Sequence, residues 1–407
     1  MSYREIDVGL TDEQIALRDT VRKFGSEFMR PVGIELDKLR DPAEVIAESS
    51  RLWEVFKKYR ELGLHRWDLP KALGGMAEDI DPMSRLLVGE ELGYADAGLT
   101  ISLGVSNMPF AMAALFPDPT MQELARQYAG DTEAKMIGCW AITEPDHGGD
   151  WSLGGSNPKC APSVKAVLEG NEYIVNGEKS SWVSNGTIAT HAVLHVCLDP
   201  SKGMEGTGLA LIPLDLPGIS RGEPLDKIGQ RPLNQGSIFF DDARIPKNYM
   251  VIPDPSIMTA LGMGELILAG ANGSMAVVFA GLAKAAFDEA FKYAKERIQD
   301  GAPLFEHQNI KLKLFKMFTM VEAARAAARR MALYNAVNLP PSAAHAVACK
   351  CLSTETATMV ASEAIQIFGG YGLTREYPVE KMFRDARAAM IEDGVNETLS
   401  LAAAGFL

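Results

Sequence analysis

Apolar residues in the first third of the chain recur at helical spacing. After Thr11 and Gln14, whose types and separation form a capping box, Leu17, Val21, Phe24 and Phe28 follow at intervals of four, three and four, which predicts one buried helical face. Asp81-Pro82, an N-cap acid with proline at the first helical position, starts a second apolar run through Leu86, Leu87 and Leu92. Residues 1–135 read as an α-helical domain. From Ile137 the period shortens to that of strands: Val164–Leu168, Tyr173–Val175, Ala192–Val196, Leu209–Pro213 and Ser237–Phe240. Gly170-Asn171 and Asn176-Gly177 between them are hairpin signals. Residues 136–251 therefore read as a middle antiparallel β-barrel or sandwich. Beyond Ile257 the helical period returns in two small-residue stripes, Phe279, Ala283, Ala286, Ala290, Ala294 and Met317, Met320, Val321, Ala324, Ala328. Alanine stripes let helices approach closely, so residues 252–407 read as a C-terminal four-helix bundle, with Asp300-Gly-Ala-Pro as a loop. The fold class is α+β and multi-domain, in the order α, β, α.

Composition narrows the partners. The chain has 407 residues with 53 acidic against 40 basic side chains, a net charge of −13, which argues against a nucleic-acid surface. The Met1–Asp7 opening has no apolar core, and the most apolar stretch, Ser256–Ala286, is broken by Glu265, Asn272, Ser274 and Lys284, so neither a signal peptide nor a membrane span is expected. Five scattered cysteines without C-x-x-C spacing fit reduced thiols in a cytoplasmic protein.

No G-x-S-x-G, P-loop or Rossmann glycine signature is present. His191 and His195 stand four apart, but in a β-type run, where that spacing does not make a metal pair converge, so no metal site is expected. Two segments of the β region stand out. Trp140-Ala-Ile-Thr-Glu-Pro-Asp-His-Gly-Gly-Asp150 leads from a strand into a glycine-bearing loop of the kind that presents backbone N–H groups to a ligand. In Asn176-Gly-Glu-Lys-Ser-Ser-Trp-Val-Ser-Asn-Gly186, a hairpin turn feeds a short strand that puts Trp182 and Ser184 on one face, a stacking surface beside a hydroxyl. Taken alone, Trp182 reads equally well as a core residue of the barrel.

Together these segments resemble the acyl-CoA dehydrogenase family, whose members carry T-E-P-x-x-G-S-D and then N-G-x-K-x-W-I-T-N-G. The resemblance runs on through Leu62-Gly-Leu-His, Glu90-Glu-Leu-Gly, Gly229-Gln-Arg-Pro, Phe239–Pro246, Arg297–Gln308, Gln366-Ile-Phe-Gly-Gly-Tyr-Gly, Glu376-Tyr-Pro-Val-Glu-Lys and Arg384-Asp-Ala-Arg. It implies FAD between the β domain and the C-terminal helices, a homotetramer or a heteromer, and α,β-dehydrogenation of an acyl-CoA thioester. In that reaction a carboxylate removes the α-proton, hydride passes to flavin N5, and an electron-transfer flavoprotein takes the electrons. Carried over by position, Trp140, Ile142, Thr143, Gly148, Gly149, Trp182 and Ser184 would line the flavin. Arg297, Gln308, Gln366, Gly370 and Glu397 would contact the rest of FAD, several of them in a neighbouring subunit. Gly149, Asn272 and Gly394 would face substrate, and the Thr100–Ala114 segment would line the acyl pocket.

The family base falls at Asp393, with an aspartate where glutamate is usual. Glu392, at a tyrosine position, is the rival. The alternative family base position, on the helix after the β domain, holds Ala271, and Glu265 is six residues too early. An aspartate base is shared by relatives acting on alicyclic acyl-CoA thioesters and by nitroalkane oxidases. The readings are therefore a dehydrogenase for a non-linear or cyclic acyl group, a nitroalkane-oxidase-like enzyme, or a silent partner subunit. Gly149, Asn272, Asp300 and Val395 also replace family residues, which weakens the expected CoA contacts.

Overall fold

The computed structural model describes residues 5–260 and 262–407, so Met1–Arg4 of the opening stretch lie outside the described residues. Among the described residues seven α-helices come first: α1 (Asp12–Phe24), α2 (Arg30–Lys38), α3 (Pro42–Val45), α4 (Leu52–Glu61), α5 (Pro82–Ala95), α6 (Ala97–Ala113) and α7 (Pro119–Ala129). Local chemistry sets where they begin. Gln14 N–H donates to Thr11 Oγ1 at 3.2 Å while Thr11 N–H donates to Gln14 Oε1 at 3.1 Å, the reciprocal capping box. Asp81 caps α5 by accepting from Ser84 N–H at 3.0 Å and from the Gln14 amide at 2.9 Å, which ties the two helix starts together.

The middle region is one sheet: β1 (Gly138–Ala141), β2 (Lys165–Glu169), β3 (Glu172–Lys179), β4 (His191–Cys197), β5 (Thr207–Pro213), β6 (Ile219–Arg221), β7 (Ile238–Pro246) and β8 (Met250–Ile252). Its order is β6-β7-β3-β2-β4-β5-β8, with β1 also on β4. The expectation of antiparallel pairing holds for most neighbours, but β1–β4 and β2–β4 run parallel, so the sheet is mixed. Gly170-Asn171 is the β2–β3 turn, with Glu169 opposite Glu172. Asn176-Gly177 is not a turn. β3 runs straight through it against β7, and the positive φ of Gly177 (+131°) is used in a bulge where a Cβ would come within 2.9 Å of Val164 Cα. Nor is the segment after β3 a strand: it turns, and only Ser184 bridges, to Gln235.

The C-terminal helices are α8 (Pro255–Ala260), α9 (Met263–Glu296), α10 (Gln308–Val337), α11 (Ala343–Phe368), α12 (Val379–Ala389) and α13 (Asn396–Ala404). Among the described residues α9 is the one helix long and apolar enough to cross a membrane, with a mean hydropathy of 1.8 over its most apolar stretch. It packs against α5, α10, α11 and α12, burying Phe279, Ala283, Ala286, Ala290 and Ala294 in the largest core. Its contact with α5 is close because both helices offer glycine at the crossing: a Cβ on Gly93 would sit 2.2 Å from Val278 O, and one on Gly281 2.2 Å from Glu90 O. Asp300-Gly301, expected as a loop, closes a two-residue hairpin (Ile298–Gln299 with Ala302–Pro303) on successive positive φ angles of +50° and +76°.

Candidate active site

The acids and lysines of the two β-region segments explain how those segments are held. Glu144, beyond β1, and Lys179, at the end of β3, form a fully buried ion pair at 2.7 Å, and Lys179 Nζ also donates to Ile142 O at 3.1 Å. Ser163 N–H and Oγ both donate to Glu144 at 2.5 Å. Burial opposes the Glu144 charge, but Lys179 and Ser163 outweigh it and its pKa falls below the usual range; burial draws Lys179 down to about 8, still protonated at neutral pH. Ser180 N–H then donates to Thr143 O at 2.9 Å, so Ile142, Thr143 and the turn carrying Trp182 are locked side by side. Trp140 is fixed from behind, its Nε1–H donating to His195 Nε2 at 3.0 Å. His195 and His191 are thus packing histidines of β4. Trp182 is 57 % exposed, which removes the core reading of this residue.

The segment Ile391–Val395 links α12 to α13. Asp393 and Gly394 both take positive φ, +51° and +102°, and a Cβ on Gly394 would meet Leu399 at 2.7 Å. Asp393 has accessible surface yet is ringed by protein, and its carboxylate makes no hydrogen bond among the described residues. Burial raises its pKa, and Lys350 alone pulls it back. Glu392 is differently placed. Gln230 Nε2 donates to its Oε1, and burial together with Asp393 lifts its pKa to about 7 against the pull of Gln230, Lys227 and Lys350.

Gln230 arrives from the β domain on the Gly229-Gln-Arg-Pro loop. Gly229 lies so close to α12 that a Cβ would meet Arg384 O at 2.3 Å, which gives this glycine its reason. Gln230 N–H donates to Asp385 Oδ1 at 2.5 Å, and Lys381 bridges Asp385 (2.6 Å) to Asp96 (2.7 Å), the N-cap of α6. A second path runs from Ser184. Gln235 Nε2 donates to Ser184 Oγ and Trp182 O, both at 3.2 Å, and Gln235 Oε1 accepts from Lys227 Nζ at 2.9 Å, the lysine that faces Glu392 and Asp385. Burial lowers Lys227 to about 8. Gly149 touches Thr398, where an added Cβ would lie 2.9 Å from Oγ1. The β-domain segments are thus joined to α12, α13 and the Asp393 turn between them at three places.

The other expected residues scatter. Arg297 caps the C-terminus of α9 and lays its guanidinium 5.6 Å from the Tyr371 ring, beside Gly370; Gln308 opens α10, and Gln366 lies in the last turn of α11, all exposed. Glu397, exposed in the first turn of α13, acts electrostatically on Lys350. Gly148 is exposed with open space where a Cβ would be. Asn272 is 1 % exposed, donates to Leu268 O at 2.9 Å, and has no accessible surface to offer a substrate. Missed from sequence were Lys227, Gln235 and Lys350. Their signal was a lysine or glutamine on a face otherwise apolar or turned inward, as Lys350 is between Val347 and Thr354.

Comparison with known proteins identifies this arrangement. Sequence models of the acyl-CoA dehydrogenase N-terminal, middle and C-terminal domains match residues 11–123, 139–243 and 267–405. The short-chain specific acyl-CoA dehydrogenase of Rattus norvegicus mitochondria is 31 % identical over 100 % of this chain and 92 % of its own length. The chain belongs to the acyl-CoA dehydrogenase family. The short-chain specific acyl-CoA dehydrogenase of Clostridium acetobutylicum is 30 % identical over 98 % of this chain and 99 % of its own. Butyryl-CoA dehydrogenase of Megasphaera elsdenii superposes with a TM-score of 0.85 at 28 % identity, covering 98 % and 99 % of the two chains. Acyl-CoA dehydrogenases are FAD-dependent oxidoreductases acting on the CH–CH group of acyl-CoA, and this chain is one of them. Its residues fit the cofactor: Trp182 leaves a large indole outside the core next to the Ser184 hydroxyl, the pairing of stacking area and hydrogen bond that a flat heteroaromatic ring needs.

Proposed function

We propose that this acyl-CoA dehydrogenase uses Asp393 as its base and acts on a short, non-linear or cyclic acyl group. The observation that carries the assignment is the contrast between the neighbouring carboxylates. Glu392 is engaged by Gln230 and faces Lys227, whereas Asp393 keeps accessible surface and makes no hydrogen bond among the described residues. A base must bring a free oxygen within reach of the α-carbon; both carboxylate oxygens of Asp393 are without a hydrogen bond among the described residues, whereas Glu392 has one of its two held by Gln230.

When bound, FAD supplies the hydride acceptor. Trp182 and Ser184 would hold its ring on one edge, with Trp140, Ile142, Thr143, Gly148 and Gly149 along the other, and Arg297 with the Gln308, Gln366 and Gly370 surface would serve the diphosphate half of a neighbour's FAD in a tetramer. Asp393 takes the α-proton and becomes neutral. The turn, set by successive positive φ angles at Asp393 and Gly394, holds it at one distance from the thioester. The short aspartate arm supports a substrate whose α-carbon is brought close. The names of relatives, short-chain specific in rat and Clostridium and butyryl-CoA dehydrogenase in Megasphaera, support a small acyl group. Similarity to a structure titled for the electron transferring flavoprotein of Acidaminococcus fermentans, at TM-score 0.83 and 28 % identity, supports such a protein as electron acceptor.

The test is anaerobic flavin bleaching of the purified yellow protein with linear, branched, aromatic and cyclic acyl-CoA thioesters. Bleaching fastest with a small branched or ring thioester is expected. Oxygen consumption with nitroalkanes and indifference to every thioester would replace this reading with the oxidase one.

A further inference from the structure

We infer that Lys350 is a positioning residue for the base: its ammonium pins the two residues that shape the turn after Asp393 and keeps a positive charge beside the carboxylate. This rests on the reading of Asp393 as the base. Lys350 lies in the third turn of α11, is fully buried, and donates from Nζ to Gly394 O and to Asn396 Oδ1, each at 2.8 Å. Asn396 in turn donates from Nδ2 to Thr354 Oγ1 at 3.1 Å, and Thr354 donates to Lys350 O at 3.0 Å, so the clamp closes on itself. Asn396 N–H donates to Met390 O at 3.1 Å, closing the turn from its other end. Between these anchors stand the only two successive positive φ angles of the segment, those of Asp393 and Gly394.

A buried ammonium is costly unless its hydrogens and charge are matched, and an apolar side chain would fill α11 as well. The lysine is matched by the catalytic turn. Of the charges acting on it, Asp393 is the strongest, ahead of Cys351 in α11, Glu392 in the turn and Glu397 in α13; Lys227 from the β-domain loop stands behind Glu392. Crowding by protein favours the neutral acid at Asp393, and Lys350 is the group that opposes it. Lys350 thereby favours the anionic base against burial and leaves its oxygens free, without a hydrogen bond that the α-proton would have to displace.

The experiment compares Lys350→Met, Lys350→Arg and Asn396→Asp in the FAD-loaded protein, reading flavin content, thermal unfolding, and kcat and KM from pH 5 to 9 with a thioester that bleaches the wild type. Lys350→Met should keep flavin, lower kcat at neutral pH roughly tenfold or more with little change in KM, and move the limb of kcat/KM that reports the base upward by about one pH unit. Lys350→Arg should restore the limb. Asn396→Asp retains the lysine and nearly the same shape but neutralises it, and should also move the limb upward, which decides the matter should the Met variant not fold. An unmoved limb in the folded variants overturns the inference. Asp393→Asn separates the two levels. If it keeps full turnover, the base assignment itself fails; if it is inactive while the lysine variants leave the limb in place, only the role of Lys350 fails.

Discussion

At the residue scale, the aspartate at the base position has a backbone reason. A φ of +51° is left-handed, a region where Asp and Asn are several-fold enriched over other non-glycine residues, so the turn that aims Asp393 favours the shorter acid over glutamate. Glutamate could reach further, but its backbone would have to be held in that conformation against its own preference. The neighbouring pair then yields opposite predictions. Asp393→Asn should lower the rate of flavin reduction by about 10²–10⁴-fold with flavin content unchanged, the usual worth of a general base. Glu392→Gln should keep turnover within about tenfold and leave the base limb of kcat/KM in place, because burial and Lys350, not Glu392, set the Asp393 pKa. Rapid-reaction flavin absorbance measures both, and a silent Glu392→Gln with an active Asp393→Asn would reverse the assignment.

At the element scale, what could be read from sequence was what is local. The Thr11–Gln14 box, the Asp81-Pro82 start and the alanine stripe of α9 are each set by residues within a few turns of one another, and each is present in the structure. Asn176-Gly177 was misread because sequence reports that Gly177 needs a positive φ but not whether a turn or a bulge will use it. The exposure of Trp182 depends on the turn from Ser180 to Ile188, which carries no strand pairing beyond one bridge. The latch on the Asp393 turn was invisible for a different reason: Gln230 meets Asp385 across 155 residues and Lys381 meets Asp96 across 285. Close packing of elements can be tested on α9 alone. Gly281→Ala forces a Cβ to 2.2 Å from Glu90 O and should destabilise by about 1–3 kcal/mol even though alanine favours the helix. Gly270→Ala, eleven residues earlier with nothing within 4 Å, should stabilise by up to about 1 kcal/mol. Thermal unfolding of the two variants should therefore shift in opposite directions.

At the scale of the whole molecule, the buried titratable groups set an acid limit on stability. His65 is 1 % exposed with Nε2 at 3.3 Å from Ala129 O, His191 stacks edge-on to Phe110, and His195 must stay unprotonated at Nε2 to accept from Trp140. Burial first, aided by Arg60 at His65 and Lys179 at His195, lowers them to about 4, about 4 and about 3, from an ordinary 6.5. The unfolded chain therefore takes up three protons as pH falls below 6.5 while the folded chain refuses them until about pH 4, and stability declines through that window. Glu392 works in the other direction. Its folded pKa of about 7 lies above its unfolded value of 4.5, so the folded chain gains a proton there that the unfolded chain does not. The difference, three protons less one, is a slope of at most about 2.7 kcal/mol per pH unit between roughly pH 6 and 4.5, reduced further by Asp385 and Asp393, whose pKa values burial also raises. Chemical denaturation of the flavoprotein at pH 7, 6, 5 and 4.5 measures the slope. His65→Gln, which removes one of the three protons, should lower it by about 1.4 kcal/mol per pH unit, and Glu392→Gln, which removes the opposing one, should steepen it by a similar amount. A slope unchanged in both variants would overturn this assignment, because the ion pairs of Asp37 and Glu144, whose lowered pKa values act mainly below about pH 4.5, cannot supply it in this window.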